Sequence, residues 1–204
     1  MARFCHSARV SLLRRDESVL LVIDTQEDFY GDERADVDRA ALGLFVQRVA
    51  WVTGLARALA VPVVVTEEDP GTNGPTSPRV QARLPPGAPV LVKPVFAAGD
   101  NPPISAALAA TGRTSVVIAG LETDVCVAHS AVSLAESGYR VTAVADALFS
   151  PGAAHGHGLA RLRAEGVQLL SAKELFYDWT RALADVRALV RANPELEPPP
   201  GFSL

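Results

Sequence analysis

Three residues of this chain, Cys126, Asp24 and Lys93, have the types and settings from which a nucleophilic catalyst can be assembled. Cys126 closes the run Val116-Val117-Ile118-Ala119-Gly120-Leu121-Glu122-Thr123-Asp124-Val125-Cys126, in which an apolar strand breaks into a short turn. Val127, Ala128, Ala131, Val132, Leu134 and Ala135 then share one helical face, and Gly138 supplies a stop. The thiol therefore falls in the first turn of a helix. Unpaired N–H groups and the positive end of the helix dipole gather there, favour an anion, and are expected to hold the thiol pKa below its free value of about 8.5. A free cysteine is also among the most buried residue types, so position alone fits a core-filling thiol equally well.

Asp24 ends the unbroken apolar run Val19-Leu20-Leu21-Val22-Ile23, the pattern of a buried parallel strand that reaches a ligand crevice. A carboxylate there can act as a base or cap a turn. Lys93 ends a third short strand, Val90-Leu91-Val92, and Pro94 keeps it extended. Only two of the 19 Lys plus Arg residues are Lys, so a compact ammonium at this place stands out against an arginine-rich background. In an open parallel sheet the C-terminal ends of all strands point to one edge, where ligands bind. Carboxylate, ammonium and thiol are thus expected at one edge.

The elements that must carry them alternate along the chain. Strands are predicted near 19–24, 61–66, 89–93, 115–121, 140–145 and 167–171, and helices near 36–59, 101–111, 126–137, 153–165 and 174–192. That rhythm predicts an α/β fold of three α/β/α layers around a six-stranded, mainly parallel sheet of Rossmann-like type. The domain spans 18–192, between an N-terminal tail of 1–17 and a Pro-rich tail of 193–204. The Pro/Gly-rich connection between 70 and 89 flanks the expected site and is a candidate lid.

At 204 residues and 49% hydrophobic, such a chain buries roughly 70% of its unfolded surface in one core. A net charge of −4 without a polybasic run argues against nucleic acid and membrane as partners and for a small-molecule substrate. No run reaches the roughly 18 apolar residues of a membrane span, and no signal-peptide core is present. The two cysteines, Cys5 and Cys126, form no CxxC pair or zinc spacing, which fits a reducing cytoplasm.

With their flanks, these segments resemble the isochorismatase-like cysteine hydrolase superfamily from Ser18 to about Trp179. The resemblance rests on Asp24-Thr25-Gln26 with Asp28-Phe29, on Lys93-Pro94-Val95-Phe96, and above all on Gly120-Leu121-Glu122-Thr123-Asp124-Val125-Cys126-Val127. It implies Asp24, Lys93 and Cys126 as a catalytic triad and a non-proline cis peptide at Leu121–Glu122. It also implies an oxyanion hole built from the backbone N–H groups of Glu122 and Cys126. Activity would be cleavage of a C–N bond in a small amide, ureido or carbamoyl compound. Vinyl-ether hydrolysis of the isochorismatase type and a redox-sensing or non-catalytic thiol are the competing readings. A homo-oligomer, dimer or tetramer, is implied as well.

Phe29, Phe96 and Thr123 adjoin the three candidates and are predicted substrate contacts, although an aromatic in so apolar a chain equally suits the core. Nicotinamidase-like members place metal-binding histidines after the second strand. This chain has Thr66-Glu67-Glu68-Asp69 instead, so neither metal nor other cofactor is expected, and the three acids read as a solvated turn or a weak cation site. His129 follows Cys126 by three and is read as a supporting residue. His155 and His157 are read as a helix entry, and Asp146 as a cap.

Overall fold

The computed structural model describes residues 12–201. Strand β1 (Ser18–Ile23) is buried along its whole length because it is central, pairing in parallel with β2 (Val63–Glu67) on one side and β4 (Ser115–Leu121) on the other. With β3 (Val90–Val92), β5 (Arg140–Phe149) and β6 (Gln168–Leu170) the sheet order is β3-β2-β1-β4-β5-β6, and every pairing is parallel. The chain builds outward from β1 in one direction and from β4 in the other. The strand order therefore reverses between β1 and β4, which opens a crevice beyond their carboxyl ends.

Alternation along the strands divides the interior into two cores. Leu20 and Val22 face α1 (Arg39–Ala58), α7 (Ala172–Thr180) and α8 (Leu183–Ala192), with Trp51, Leu55 and Phe176 among their neighbours. Leu21 and Ile23 face the other way, with Ile104, Leu134 and Leu162 from α4 (Pro102–Ala110), α5 (Ala128–Glu136) and α6 (Ala154–Ala164). The expected three-layer α/β/α architecture is the one observed.

Several expected boundaries move, each for a local reason. Asp38 accepts from the N–H groups of Ala40 and Ala41, so α1 starts at Arg39. The helix expected over 174–192 is two helices, because Arg181 adopts a left-handed φ of 66° and breaks the run. A capping box of Ser171 and Glu174 starts the first of them. Leu175, Phe176 and Trp179 are buried, so that aromatic cluster docks α7 on its own sheet, and Tyr177 alone of the group is exposed. Strand β5 continues to Phe149 through a register shift against β4 between Ile118 and Gly120. The 70–89 connection holds two one-turn helices, α2 (Pro70–Asn73) and α3 (Pro78–Gln81), and is tied to the exit of β1 by an antiparallel bridge between Gln26 and Thr76.

The segments expected as tails pack where they are described. Leu13 is fully buried and its N–H donates to Asp178. The Leu196 carbonyl accepts from Trp51 Nε1 at 3.4 Å. Cys5 lies outside the described residues.

Candidate active site

The backbone at the crevice is set by a few unusual residues. Asp24 follows β1 with a φ of 46°, a region that costs a non-glycine residue about 1–3 kcal/mol. Its N–H is held by the carbonyl of Thr66 at 3.1 Å, so the turn is anchored to the end of β2. Across the seam, Gly120 has a φ of 133°, and a Cβ there would run into the Ile23 carbonyl. Only glycine lets β4 lie this close to β1. The Leu121–Glu122 peptide that follows is cis.

The chain then enters a π-helical turn, Thr123–Val127, that runs directly into α5. Sequence periodicity placed the helix start at Cys126, whereas the helical turn already begins three residues earlier. Helix α6 is pressed against this turn at Gly158, where a Cβ would stand 2.7 Å from Asp124 N. Two side-chain bonds hold it further, Thr123 Oγ1 to His155 Nδ1 at 2.9 Å and Ser150 Oγ donating to Asp124 at 2.6 Å. Cys126 thus sits on a rigid support.

Asp24, Lys93 and Cys126 meet in one buried cluster. Lys93 is 0% exposed and its Nζ lies 3.0 Å from Asp24 Oδ2, 3.4 Å from Cys126 Sγ and 3.0 Å from the Val95 carbonyl. Two of those contacts, to Cys126 and to the Val95 carbonyl, are hydrogen bonds donated by the ammonium. Asp24 Oδ1 accepts from Thr66 Oγ1 at 2.6 Å, whereas Oδ2 accepts no hydrogen bond and faces the ammonium as an ion pair. The thiol donates to a fourth residue, Glu68, with Sγ 3.2 Å from Oε2. Glu68 Oε2 is also 3.9 Å from Lys93 Nζ. One donor atom from each of Asp24, Glu68 and Cys126 falls within 4.8 Å of the others, a spacing that suits a metal ion. The Lys93 ammonium already touches or borders all three and supplies the positive charge such an ion would bring.

Electrostatics correct one expectation. Burial pushes the Cys126 thiol up, Asp24 and Glu68 push it further, and Lys93 only partly opposes them. The local helix-start argument had the opposite sign, because it counted neither burial nor a second carboxylate. Asp24 is also raised, first by burial, against the pull of Lys93 and Thr66. For Lys93, burial works against the ammonium, yet Asp24, Cys126 and Glu68 together raise its pKa. At neutral pH the cluster therefore holds a charged lysine and a protonated thiol, with a carboxylate receptive to a proton.

The remaining candidates are placed less uniformly. Phe96 is 55% exposed beside the cluster, its ring 6.0 Å from that of His129. Phe29 is partly buried, packs against the α1-side core and stacks edge-on with Tyr30 at 5.2 Å. Thr123 is fully buried and spends its hydroxyl on His155. His129 Nδ1 bonds the Val125 carbonyl at 2.7 Å instead of the thiol. Asp146 accepts from Ala172 N at 2.7 Å and caps α7. Glu122 accepts from Tyr30 Oη at 2.9 Å, and burial raises its carboxyl despite that bond.

Glu68 is the residue that sequence reasoning missed. Glu67 turns away to accept from Thr76 N and Oγ1, both at 2.6 Å, while its neighbour turns in. The signal was the strand alternation itself, which puts adjacent acids on opposite faces.

Comparison with known proteins identifies the family and the fold. A model of the Isochorismatase domain matches residues 18–174. The chain belongs to the isochorismatase family of hydrolases. It is 30% identical over 184 residues to the Escherichia coli (strain K12) protein named Probable hydrolase YcaC, covering 87% of this chain and 86% of that one. Among solved structures of the family, YcaC from Pseudomonas aeruginosa with hexane-2,5-diol and covalent acrylamide superposes with a TM-score of 0.79 at 27% identity, over 92% of this chain and 94% of the other. The Escherichia coli YcaC structure, an octameric hydrolase of unknown specificity, has a TM-score of 0.76 at 27% identity, over 90% and 92% of the two chains. Among the described residues of this isochorismatase-family chain no helix is long and apolar enough to cross a membrane.

Proposed function

We propose that this hydrolase cleaves a C–N bond of a small amide, ureido or carbamoyl substrate, with Cys126 as nucleophile, Asp24 as proton carrier and Lys93 as the holding charge. The observation that carries the reading is the Lys93 ammonium 3.0 Å from Asp24 and 3.4 Å from Cys126 at the point where the strand order reverses. Because the resting thiol keeps its proton, attack is coupled to proton transfer. The Cys126 proton passes to Asp24, whose raised pKa makes it receptive, as the C–S bond forms. Negative charge moves to the substrate oxygen, which backbone N–H groups of Glu122 and Cys126 stabilise; one such donor is typically worth about 3–4 kcal/mol. The C–N bond then breaks as protonated Asp24 returns the proton to the departing amine. Water, deprotonated by Asp24, hydrolyses the thioester and restores the thiol.

Phe96, exposed three residues after Lys93, is the substrate contact the structure supports best, whereas Phe29 packs on the core and Thr123 is fully buried with its hydroxyl on His155. Covalent acrylamide in the Pseudomonas aeruginosa relative supports a reactive group in the family, since acrylamide adds to thiolates. Assembly as a homo-oligomer is supported by the octameric relative and by edge strand β3, which exposes Val90 and Val92. A monomer by size exclusion at micromolar concentration would contradict it.

The deciding assay is ammonia release from a panel of amides, ureas and carbamates by wild type, Cys126→Ala and Asp24→Asn, with intact mass spectrometry to trap a thioester. Loss of turnover in both variants is expected. Undiminished turnover by Cys126→Ala would refute the thiol mechanism, and retention there with loss in Asp24→Asn would favour the vinyl-ether type of acid chemistry.

A further inference from the structure

We infer that Glu68 makes the candidate site select substrates that carry a cationic nitrogen, an ammonium, amidinium or guanidinium, near the reacting carbon, and reject carboxylates. The inference rests on Cys126 being the nucleophile. Glu68 touches the thiol at 3.2 Å, yet its side chain is 29% exposed where Asp24 and Lys93 are 0% exposed. It is therefore the charge of the cluster that faces an entering ligand.

Its placement is built rather than accidental. The Glu68 N–H donates to Gln26 Oε1 at 2.8 Å, and its carbonyl accepts from Gln26 Nε2 at 3.0 Å and Asn73 Nδ2 at 2.8 Å. Gln26 is itself buried and also donates to the Gly74 carbonyl at 2.7 Å. The backbone is clamped on both sides of the one acid that turns inward.

The charge balance gives the direction of selection. One ammonium faces two carboxyl groups, Asp24 at 3.0 Å and Glu68 at 3.9 Å, so its charge is engaged within the cluster. The ammonium is 0% exposed and closed in by Asp24, Cys126 and Val95, all within 3.4 Å, so it is shielded from a substrate anion. A carboxylate ligand would meet Glu68 with no cation to receive it. Glu68 also pushes the thiol pKa up, which handicaps a nucleophile in the empty site. A cationic substrate cancels that handicap on arrival: it pairs with Glu68 and removes the charge that opposes ionisation of Cys126.

The test uses the full chain with Cys5→Ser as background and two methanethiosulfonate reagents of similar size, one bearing an ethylammonium and one an ethylsulfonate. Each transfers its alkylthio group to the Cys126 thiolate and releases methanesulfinate, and the rates are followed by mass spectrometry of the Cys126 peptide. Both rates scale with the same thiolate fraction, so their ratio reports charge selection independently of the thiol pKa. Relative to free 2-mercaptoethanol, the background protein is expected to favour the cationic reagent by about tenfold or more, a preference that weakens with salt. Glu68→Gln should lose most of that preference, whereas Glu68→Asp and Glu67→Gln should retain it. An unchanged ratio in folded Glu68→Gln would overturn the inference while leaving the nucleophile in place. Failure of both reagents to modify Cys126 in the native protein would overturn the inference and the nucleophile together.

Discussion

Replacing Lys93 by methionine removes the ammonium from the cluster while keeping most of the side-chain volume. At 3.4 Å from Sγ and an effective dielectric constant near 20, the ammonium stabilises a Cys126 thiolate by roughly 5 kcal/mol. Water entering the vacated place returns part of this, and about 2.7 kcal/mol, a hundredfold in thiolate population, is the least expected. Iodoacetamide labelling of Cys126 at pH 8, read by peptide mass spectrometry, should therefore slow at least about a hundredfold. Stability should fall too, by about 3–5 kcal/mol, because Asp24 is left as a buried charge without its partner.

The pH dependence of that loss has a definite sign. Asp24 is already raised by burial, and losing Lys93 raises it further. A carboxyl whose folded pKa lies above its unfolded value binds more protons in the folded state, so it destabilises the fold as pH rises and the penalty shrinks as pH falls. Urea unfolding at pH 5.5 and 8 should show the larger deficit at pH 8. Labelling within threefold of wild type in a variant with native circular dichroism, or equal deficits at the two pH values, would refute the reasoning.

Gly120→Ala should be far more costly than a usual surface change, by more than about 3 kcal/mol in urea unfolding, because the new methyl meets the Ile23 carbonyl in the central seam; a loss below 1 kcal/mol would mean the strands can part without penalty. Gln26→Ala removes the amide that clamps Glu68 and Gly74, so hydrogen exchange across residues 66–76 should accelerate and stability should drop by about 1–3 kcal/mol. Unchanged exchange there would show that the 70–89 connection holds itself.

The strands that lead to Asp24 and Cys126 were legible because each is an apolar run that stops on a polar residue, a pattern made by burial on both faces of a parallel sheet, whereas β3 before Lys93 carries the same run at the sheet edge, where Val90 and Val92 are exposed. What stayed hidden depends on contacts remote in sequence. Alternation in Thr66-Glu67-Glu68-Asp69 puts the two glutamates on opposite faces but does not say which one turns in, and the backbone of Glu68 is held by Gln26, 42 residues away. The sign of the Cys126 shift was missed for the same reason, since a helix-start argument is local whereas burial and Glu68 are tertiary. Arg181 ends α7 in a left-handed conformation that its residue type does not advertise. The apolar pattern of β5 weakens at Asp146, and the register shift that carries the strand on to Phe149 comes from its pairing with β4.

The seam between β1 and β4 acts as a gauge for the whole site. Asp24, Glu68 and Lys93 all belong to the half-sheet built outward from β1, and Cys126 belongs to the half built outward from β4. Val19 pairs with Val116 and Ile23 with Gly120 along that seam. A slip of one residue would carry the thiol about 3.3 Å along the strand, roughly the whole length of its contact with the ammonium, and would turn every side chain of β4 to the wrong core. Chemical reactivity at Cys126 and correct assembly of the two half-sheets are consequently one and the same event, so a thiol in contact with Lys93 is also a report that the fold has closed in register.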